Sequence, residues 1–442
     1  MSLPTDRGGS IVDVAQLAAA TARLMQEDDG DDYGEEEDDY YDAGRPYRPP
    51  GNSQDGERSS FAANIPRNFI VPERLRDKPY ELIEAANDWH YAMMNDHPRN
   101  VFYRDALSRV ITPESVVLEI GAGSGLLSII AASLGAKTVI AIEANRHLAA
   151  VAREIIKRNG YESRIHIINK MSTEVAPEEI AHYGTPTVLL SEILGTLLLG
   201  ESAMHYVMDA RQRLFGSLPA VVPRRGSQFA CLIESHDIAS ITSVKGWEGI
   251  DLATFNALQD TTSMVFTKQY GFRFSSCKYR ELARRVPVLD IDFAHDVVGV
   301  WKNERRQRIQ ALASGTVHAV MASWEVYEGE GAAAGGGGDA GGAAGASAPL
   351  VMSTHPDQTL DNFPRDMQWG QGLQLIEDMS KATDGGPPTP FEVTEGEWLI
   401  LVTRFSPDGV TINFGLERDD GSGGCQPCMP PQGGGEARVT VD

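Results

Sequence analysis

The sequence predicts a two-domain protein in which a doubly wound α/β domain is followed by an antiparallel β domain. Apolar strands alternate with helices between residues 115 and 220, and strands with a period of two dominate from residue 221 onward. With 442 residues, of which 42% are apolar, the chain is long enough to form two hydrophobic cores. We expect domains at 65–220 and 221–420, between disordered tails at 1–64 and 421–442.

Continuous apolar runs predict the strands of the first domain, because strands buried on both faces do not alternate apolar with polar residues. These runs cover residues 115–120, 138–142, 164–169 and 187–191. A helix is expected over 145–160, beginning at Asn145 and ending at Gly160. The residues expected on its apolar face are Leu148, Val151, Ile155 and Ile156. Helices of this length between strands predict a parallel sheet.

The second domain is predicted from period-two runs that are separated by turn signals. The runs cover residues 227–235, 284–293, 316–327, 395–405 and 409–416. Residues 246–259 are compatible with a helix, so we expect the segment 235–260 to protrude as an arm. Residues 329–349 are mostly glycine and alanine and predict a flexible loop insertion.

Charge and composition narrow the classes of function. The formal net charge of −23 disfavours direct nucleic-acid binding and favours basic partners. Neither an apolar run of about 18 residues nor a secretory signal pattern occurs, so we expect no membrane contact. The four cysteines are too scattered for a disulfide scaffold, which is typical of an intracellular protein in the cytoplasm or also the nucleus.

Two local features predict little chemistry. Cys425 and Cys428 form a single CxxC in a glycine- and proline-rich tail, and the histidines lack metal-ligand spacing, so we expect no metal. The basic stretch 305–308 is expected to form a solvated helix face.

The strongest local motif lies at the end of the first buried strand. It reads Glu119-Ile-Gly121-Ala-Gly123-Ser-Gly125 and leads into a helix, whose free N–H groups and glycine-lined approach suit a bound ligand. Glu143 ends the next strand, where it can accept hydrogen bonds from ribose hydroxyls. The spacing G-x-G-x-G, rather than G-x-G-x-x-G, favours S-adenosylmethionine over a dinucleotide, although the motif alone leaves both open.

A second motif follows the strand at 187–191. Glu192 and Glu201 stand nine residues apart around a short apolar loop, ILGTLLLG. Two acids in an apolar setting need cationic partners, and a guanidinium can bind such a pair through forked hydrogen bonds. Two ordinary surface glutamates are the alternative interpretation of the loop on its own.

Together the two motifs resemble the protein arginine methyltransferase family, over about residues 75–420. The hallmark of that family is a pair of glutamates that bracket a loop, here Glu192 and Glu201. The resemblance includes a helix before the sheet and a loop in the second domain. Their residues are Met93-Met94-Asn95-Asp96-His97-Pro98-Arg99 and Met367-Gln368-Trp369-Gly370-Gln371. It implies a Rossmann-like domain that binds S-adenosylmethionine, then a β-barrel with a helical dimerisation arm.

The resemblance also implies roles for single residues. Glu192 and Glu201 would be catalytic, and Glu192 would accept the substrate proton. The residues expected to bind the substrate are Trp369, Gln368, Tyr91 and Asp96, with Trp369 and Tyr91 walling the arginine channel. The residues expected to bind the cofactor are Arg99, which would pair with its carboxylate, and Glu119, Gly121, Gly123, Gly125, Glu143, Ser172, Glu174 and Met93.

One departure concerns the barrel loop. Most of the family carries a histidine where Gln368 stands, and an aspartate matching Asp96 can pair with that histidine. Glutamine hydrogen bonds but cannot shuttle protons near neutral pH. The altered loop resembles the monomethylating branch, arginine methyltransferase seven, as a single catalytic module, and implies monomethylarginine as the product.

The expected partners are arginine-containing proteins, with glycine/arginine-rich RNA-binding proteins suggested by the family, and a second copy of the chain. Three alternatives stay open at this point. They are an arginine methyltransferase that also makes dimethylarginine, a small-molecule enzyme that uses S-adenosylmethionine or a dinucleotide, and a non-catalytic scaffold that binds arginine-rich proteins.

Overall fold

The computed structural model of the protein describes residues 88–419 with gaps at 269–272, 300, 302, 330–348, 357–362 and 384–385, and also residues 74, 86, 421, 426 and 427. The predicted tail at 1–64 and nearly all of the tail at 421–442, including Cys425 and Cys428, lie outside the described residues. So does almost all of the glycine- and alanine-rich insertion at 329–349.

The apolar runs of the first half form one parallel sheet, as the sequence predicted. Its strands are β1 (Val116–Ile120), β2 (Thr138–Ile142), β3 (Ile165–Ile168), β4 (Val188–Ser191) and β5 (Ala220–Val222), in the order β3-β2-β1-β4-β5. Every residue of β1 is buried, which explains why this strand reads as a continuous apolar run. The strand order reverses between β1 and β4, and ligands of such sheets bind outside the carboxyl ends at this switch point.

Helices precede the sheet and connect its strands. They are α1 (Asp88–Asn95), α2 (His97–Val110), α3 (Leu126–Ser133), α4 (Arg146–Arg158), α5 (Pro177–Ile180) and α6 (Ala203–Arg213), with 3-10 turns at Ser172–Glu174 and Ala181–Tyr183. Asn145 caps α4 as predicted, because its side chain accepts hydrogen bonds from the backbone N–H groups of His147 and Leu148.

The predicted apolar face of α4 is partly wrong. Val151 is 37% exposed, whereas Ala149, Ala152 and Ile156 are buried. The buried stripe consists mostly of alanines because α4 packs closely: a Cβ added to Gly125 would lie 3.6 Å from Ala152 Cβ and 3.3 Å from Ile156 Cδ1. Val151 therefore lies outside the buried face of the helix.

The second half consists of antiparallel sheets, as predicted. Its elements are β6 (Arg225–Glu234), α7 (His236–Thr242), β7 (Gly246–Trp247), β8 (Ile250–Asp251), β9 (Val265–Phe266), β10 (Arg280–Glu281), β11 (Val286–Asp292), β12 (Glu304–Gln310), β13 (Gly315–Val317), β14 (Ala319–Glu328), β15 (Leu350–Ser353), α8 (Phe363–Gln368), β16 (Gly372–Leu375), β17 (Phe391–Val393), β18 (Trp398–Phe405), β19 (Ile412–Arg418) and β20 (Gln426–Pro427). The main sheet has the order β10-β6-β14-β16-β9, with β11 added to β6 and β15 to β14, and a second sheet has the order β19-β18-β12-β20.

The basic stretch 305–308 belongs to strand β12, so the predicted helix face is wrong. Its arginines pair with carboxylates at the end of β19: Arg306 forms an ion pair with Glu417, and Arg308 Nε lies 2.5 Å from an oxygen of Asp419. Arg305 donates to the carbonyl oxygen of Val288 at 3.0 Å. These partners are distant in sequence, so the local charge pattern did not reveal the strand.

The segment 235–260, which the sequence predicts as an arm, is mostly exposed, and only the 3-10 helix Ala253–Leu258 forms within the helix predicted at 246–259. An α-helix (α7) comes first, the β7–β8 hairpin follows, and a 3-10 helix covers Ala253–Leu258. The arm exposes large apolar side chains, namely Ile241, Trp247, Ile250, Phe255 and Leu258. None of the helices that the structure describes combines the length and hydropathy needed for a transmembrane span.

Candidate active site

The glycine motif forms a tight loop at the carboxyl end of β1. Gly121, Gly123 and Gly125 have φ angles of +73°, +52° and +79°, which disfavour any other residue type. A Cβ added to Gly121 would lie 2.9 Å from Ile193 Cγ2. The glycine loop therefore contacts the residue that follows Glu192, which brings the two predicted motifs together.

Glu143 holds this glycine loop from the end of β2. Its carboxylate accepts hydrogen bonds from the backbone N–H groups of Gly123 and Asn145, both at 2.8 Å. Burial raises the pKa of Glu143, and the two backbone hydrogen bonds oppose that effect. The acid is thus buried and oriented where the sequence placed it.

Glu119 has a different surrounding. It is 1% exposed within β1, and its carboxyl group accepts a hydrogen bond from the Ser128 hydroxyl of α3. Burial raises its pKa to about 8. The contact with Ser128 gives Glu119 a role in holding α3 against the sheet, in addition to its position beside the glycine loop.

Arg99 lies against Glu192. Its guanidinium donates to Glu192 Oε2 from Nη2 at 2.5 Å and from Nε at 3.2 Å, and both side chains are buried. Met93, on the preceding helix α1, has its Cε 4.0 Å from where a Cβ of Gly123 would lie. The helices before the sheet therefore bring one cation to the acid and one apolar side chain to the glycine loop.

The loop between the two glutamates is held by the antiparallel domain. Trp369 Nε1 donates to the carbonyl oxygen of Leu194, and Trp324 Nε1 donates to that of Gly195, both at 2.8 Å. The two indole rings contact each other edge to face with centroids 4.8 Å apart. Thr196 Oγ1 donates to the carbonyl oxygen of Trp369 at 2.5 Å. The buried backbone of the loop is thus paired by side chains more than 100 residues away.

The loop also closes on itself through glycines. A Cβ added to Gly195 would lie 3.2 Å from Gly200 Cα, and one added to Gly200 would lie 3.1 Å from the carbonyl oxygen of Leu197. Side chains at these positions would push the loop ends apart. The glycines therefore set the separation of Glu192 and Glu201.

Glu201 differs from Glu192 in exposure and pKa. Its side chain is accessible to solvent, whereas Glu192 is 5% exposed. Desolvation by the surrounding protein, with Glu192 adding repulsion, raises the pKa of Glu201 to about 7, while the Lys268 charge opposes the rise. Accessibility and desolvation coexist when a group is open to water on one side and enclosed by protein on the others. For Glu192, burial raises the pKa and the charge of Arg99 opposes this.

Gln368 joins Arg99, Glu192 and Glu201 in one cluster of polar side chains. Its Nε2 donates to Glu192 Oε2 at 3.2 Å, and its Oε1 is buried without a hydrogen-bond partner among the described residues. Lys268 Nζ donates to the carbonyl oxygen of Gln368 at 3.1 Å. Two donors, Arg99 and Gln368, thus share one oxygen of Glu192.

The remaining predicted residues differ in exposure and in their hydrogen-bond partners. Trp369 is 1% exposed and its indole N–H binds the loop backbone, so it supports the loop from behind; Tyr91 is 56% exposed. Ser172 Oγ is buried and has no partner in the described part of the chain, whereas Glu174 is exposed. Asp96 caps helix α2 and forms an ion pair with Arg365.

Sequence reasoning missed Lys268, Arg365 and Trp324. Arg365 carried a weak signal, because it stands one helical turn before Gln368. Lys268 and Trp324 carried none, since their contacts depend on the tertiary fold. No cluster of three histidine, cysteine or carboxylate side chains suited to a metal occurs among the described residues. Cys231 and Cys277 are buried thiols whose pKa values burial raises.

A parallel sheet with a glycine loop after its first strand and an acid after its second defines the Rossmann-like class of cofactor-binding proteins. A model of the ribosomal protein L11 methyltransferase family matches residues 96–205. The chain is 32% identical over 244 residues to an arginine N(omega)-methyltransferase of Streptomyces achromogenes subsp. streptozoticus, covering 55% of this chain and 65% of that protein. It is 30% identical over 258 residues to protein arginine N-methyltransferase 7 of Mus musculus, covering 55% of this chain and 37% of that protein.

Solved structures share the fold. A Trypanosoma brucei PRMT1 enzyme–prozyme heterotetrameric complex with AdoHcy has a TM-score of 0.58 at 22% identity, covering 75% of this chain and 93% of that one. Protein arginine methyltransferase 10 of Arabidopsis thaliana has a TM-score of 0.56 at 18% identity, covering 77% and 96%. The predicted fold and the resemblance to the protein arginine methyltransferase family are thereby confirmed. The chain spans less than two thirds of the length of the named sequence relatives.

Proposed function

We propose that this chain transfers a methyl group from S-adenosylmethionine to a terminal guanidino nitrogen of arginine in protein substrates. The observation that carries the proposal is the geometry at the switch point of the sheet, where Glu192 and Glu201 bracket a loop in contact with the glycine loop at Gly121. The named relatives, arginine methyltransferases, support the same reaction.

The residues around the glycine loop fit S-adenosylmethionine. The loop has no room for a Cβ at Gly121, and Ser172 Oγ is a buried polar atom without a partner among the described residues. Glu143 would bind the ribose hydroxyls, Arg99 the carboxylate, and Ser172 the base. When bound, this cofactor supplies a methyl group activated on a sulfonium.

Glu192 and Glu201 would hold the substrate guanidinium by forked, charge-assisted hydrogen bonds. Because the charge is then drawn to the bound nitrogens, the remaining nitrogen keeps more of its lone pair for attack. Arg99 and Gln368 both donate to Oε2 of Glu192, which orients the carboxylate before substrate arrives. Positioning and preorganised charge are the main contributions of these side chains.

For the proton released on methylation, Glu201 is the better acceptor. The sequence led us to expect Glu192, but Glu192 already accepts hydrogen bonds from Arg99 and Gln368. Glu201 has a pKa of about 7 and is accessible to water, so it can take a proton and release it at neutral pH.

We propose monomethylarginine as the product. Gln368, not a histidine, contacts Glu192 and cannot take up a proton near neutral pH. Asp96 is engaged by Arg365, so the described structure contains no histidine–aspartate pair at this position. The absence of a histidine at the position of Gln368, in the described structure, supports transfer of one methyl group per arginine.

Free arginine is a second candidate substrate, because one relative is named an arginine N(omega)-methyltransferase without reference to protein. The test incubates the chain with labelled S-adenosylmethionine and either a glycine/arginine-rich peptide or free L-arginine, followed by amino-acid analysis. We expect labelled monomethylarginine in the peptide. Label only in free arginine would change the proposed substrate from protein arginine to free arginine. Abundant dimethylarginine would contradict the transfer of a single methyl group.

Two variants make this test specific for the acid pair. Glu192→Gln should abolish transfer while binding S-adenosylmethionine nearly as the wild type does, because the cofactor contacts stay in place. Glu178→Gln, at an exposed position of α5, is the matched control and should remain active. Equal rates for Glu192→Gln and the wild type would refute the assignment.

We further propose that the chain acts in the cytoplasm or nucleus on glycine/arginine-rich RNA-binding proteins, without binding nucleic acid itself. We also propose that it forms a homodimer through its arm. The exposed apolar residues of the arm support the dimer, with Phe255 70% and Leu258 76% exposed. Sedimentation of Phe255→Ser with Leu258→Ser should give a monomer where the wild type gives a dimer. Equal masses would exclude this interface.

A further inference from the structure

Two helices meet at one oxygen of Glu192. Arg99 extends from α2 and Gln368 from α8, and both donate to Glu192 Oε2. Each donor stands three residues after another charged side chain on its helix, namely Asp96 and Arg365. Residues three apart lie on the same helical face, so the two charged side chains are also expected to meet.

They do meet, in a buried two-pronged ion pair. Arg365 Nε donates to Asp96 Oδ2 and Arg365 Nη2 donates to Asp96 Oδ1, both at 3.1 Å. Arg365 Nη1 donates to the carbonyl oxygen of Ser353 on β15 at 2.9 Å. Asp96 also caps α2, because its Oδ1 accepts from the Arg99 backbone N–H at 3.0 Å. A planar fork of this kind fixes both distance and orientation, which a lysine cannot do.

The contacts close into a ring. Asp96 continues to Arg99 along α2, Arg99 binds Glu192, Glu192 binds Gln368, and Gln368 leads back along α8 to Arg365. Since the ion pair and the acid lie at opposite ends of the same two helical turns, the separation at one end constrains the separation at the other. Helices α1 and α8 also pack directly on each other.

We propose that Arg365 is a positioning residue, whose forked ion pair with Asp96 sets the spacing of α2 and α8 so that Arg99 and Gln368 both reach Glu192. Arg365 touches neither Glu192 nor Glu201 directly, so it acts through the two donors. The inference rests on the proposed function, because it concerns how Glu192 is held ready for a guanidinium.

The test uses conservative variants at both ends of the pair. Arg365→Lys keeps the charge but loses the fork, and Asp96→Asn keeps the helix cap but loses the charge. We expect each to lower kcat/KM for an arginine peptide about tenfold to a hundredfold, as misplacement of a catalytic group by a fraction of an ångström does. The loss should appear mainly in kcat, and the double variant should be no worse than the more impaired single variant.

A double-mutant cycle with Gln368 separates a merely structural role of Arg365 from a positioning role. In a Gln368→Met background, where one donor to Glu192 is already absent, Arg365→Lys should have a clearly smaller effect than in the wild type. If the effects of Arg365→Lys and Gln368→Met multiply, Arg365 acts independently of this ring and the inference is wrong. All rates are compared well below the unfolding midpoint, so that loss of folded protein does not contribute.

Arg404→Lys is the matched control. Arg404 forms an exposed ion pair with Glu304 at 3.0 Å on the second sheet, far in sequence from the loop residues, and its replacement should leave kcat/KM unchanged. If the wild type methylates and Arg365→Lys matches it, the inference fails while the proposed function stands. If the wild type transfers no methyl group to any arginine substrate, the proposed function fails instead. In that case the ring is tested directly: a crystal structure of Arg365→Lys in which Arg99 and Gln368 still both donate to Glu192 Oε2 would overturn the inference.

Discussion

Lowering the pH from 8 to 6 should reduce kcat/KM for an arginine peptide because Glu201 must be charged to hold a guanidinium. Its pKa of about 7 lies within this interval. An acid with that pKa is about nine-tenths ionised at pH 8 and about one-tenth ionised at pH 6, so the expected fall is roughly tenfold. The activity is thus present above the pKa and is lost as the pH falls through it.

Lys268 provides the perturbation that tests this assignment. Its charge opposes the rise of the Glu201 pKa, so Lys268→Met should move the acidic limb of the profile to higher pH. Lys268→Arg keeps the positive charge and should leave the limb nearly in place. Above the new pKa, Glu201 is charged in both proteins, and removal of the neighbouring cation should then favour a positively charged substrate. The two profiles are therefore expected to cross.

The assay measures initial rates with a peptide that lacks histidine, between pH 6 and pH 9.5, with saturating S-adenosylmethionine. Lys137→Met is the matched control, because Lys137 is exposed and pairs with Glu114 at 3.3 Å, on the surface. A flat profile from pH 6 to pH 8, or a limb that moves to lower pH in Lys268→Met, would refute the role given to Glu201.

Three further predictions concern the scaffold around the acids. Gly121→Ala should abolish cofactor binding in a titration experiment, because its Cβ would lie 2.9 Å from Ile193 and its φ of +73° is strained for alanine. Trp369→Phe leaves the buried carbonyl of Leu194 without its donor and should lower the free energy of unfolding by about 1–3 kcal/mol, and kcat with it. Glu119→Gln should remove a pH dependence of stability. Because the pKa of Glu119 rises from 4.5 to about 8 on folding, the wild type should lose up to about 1.4 kcal/mol of its free energy of unfolding per pH unit as the pH rises between these values. Denaturant titrations at several pH values measure this loss.

Matched controls exist for the first two of these. Gly135→Ala is strained by a φ of +103° but meets no atom within 4 Å, so it should retain cofactor binding. Trp398→Phe changes a tryptophan that is 40% exposed and should cost little. If Gly135→Ala and Gly121→Ala bind the cofactor equally poorly, the loss comes from backbone strain and not from the contact of residue 121 with Ile193. Parallel stability curves for the wild type and Glu119→Gln would contradict the raised pKa of Glu119.

The sheet and the placement of its motifs could be predicted because the signals are local. The continuous apolar run of β1, the glycines that follow it, and Glu143 at the end of β2 each depend on a few neighbouring residues. The contact between the glycine loop and Ile193 is explained by the rule that the carboxyl ends of parallel strands meet at one edge of a sheet.

The support of the site could not be predicted in the same way. Arg365 reaches Asp96 across 269 positions of the chain, and Trp369 reaches Leu194 across 175. Neither pairing is marked by composition, and the only local signal is the position of Arg365 one helical turn before Gln368. Trp369 was expected to line a channel, and its indole N–H is instead used on the loop backbone, because buried carbonyl groups require donors.

The two glutamates of the loop are chemically unequal, and both halves of the chain contribute to the difference. Glu192 is buried, paired with Arg99 and bonded to Gln368 of α8, so its charge and orientation are fixed before substrate arrives. Glu201 is open to solvent and has a pKa close to neutrality, so its charge responds to pH and to the cation beside it. A guanidinium that bridges the pair therefore meets one acid that sets geometry and one that can exchange a proton. Arg99 of α2 begins this difference, and Gln368 and Lys268 of the antiparallel half add to it, one as a donor to Glu192 and the other as the cation beside Glu201.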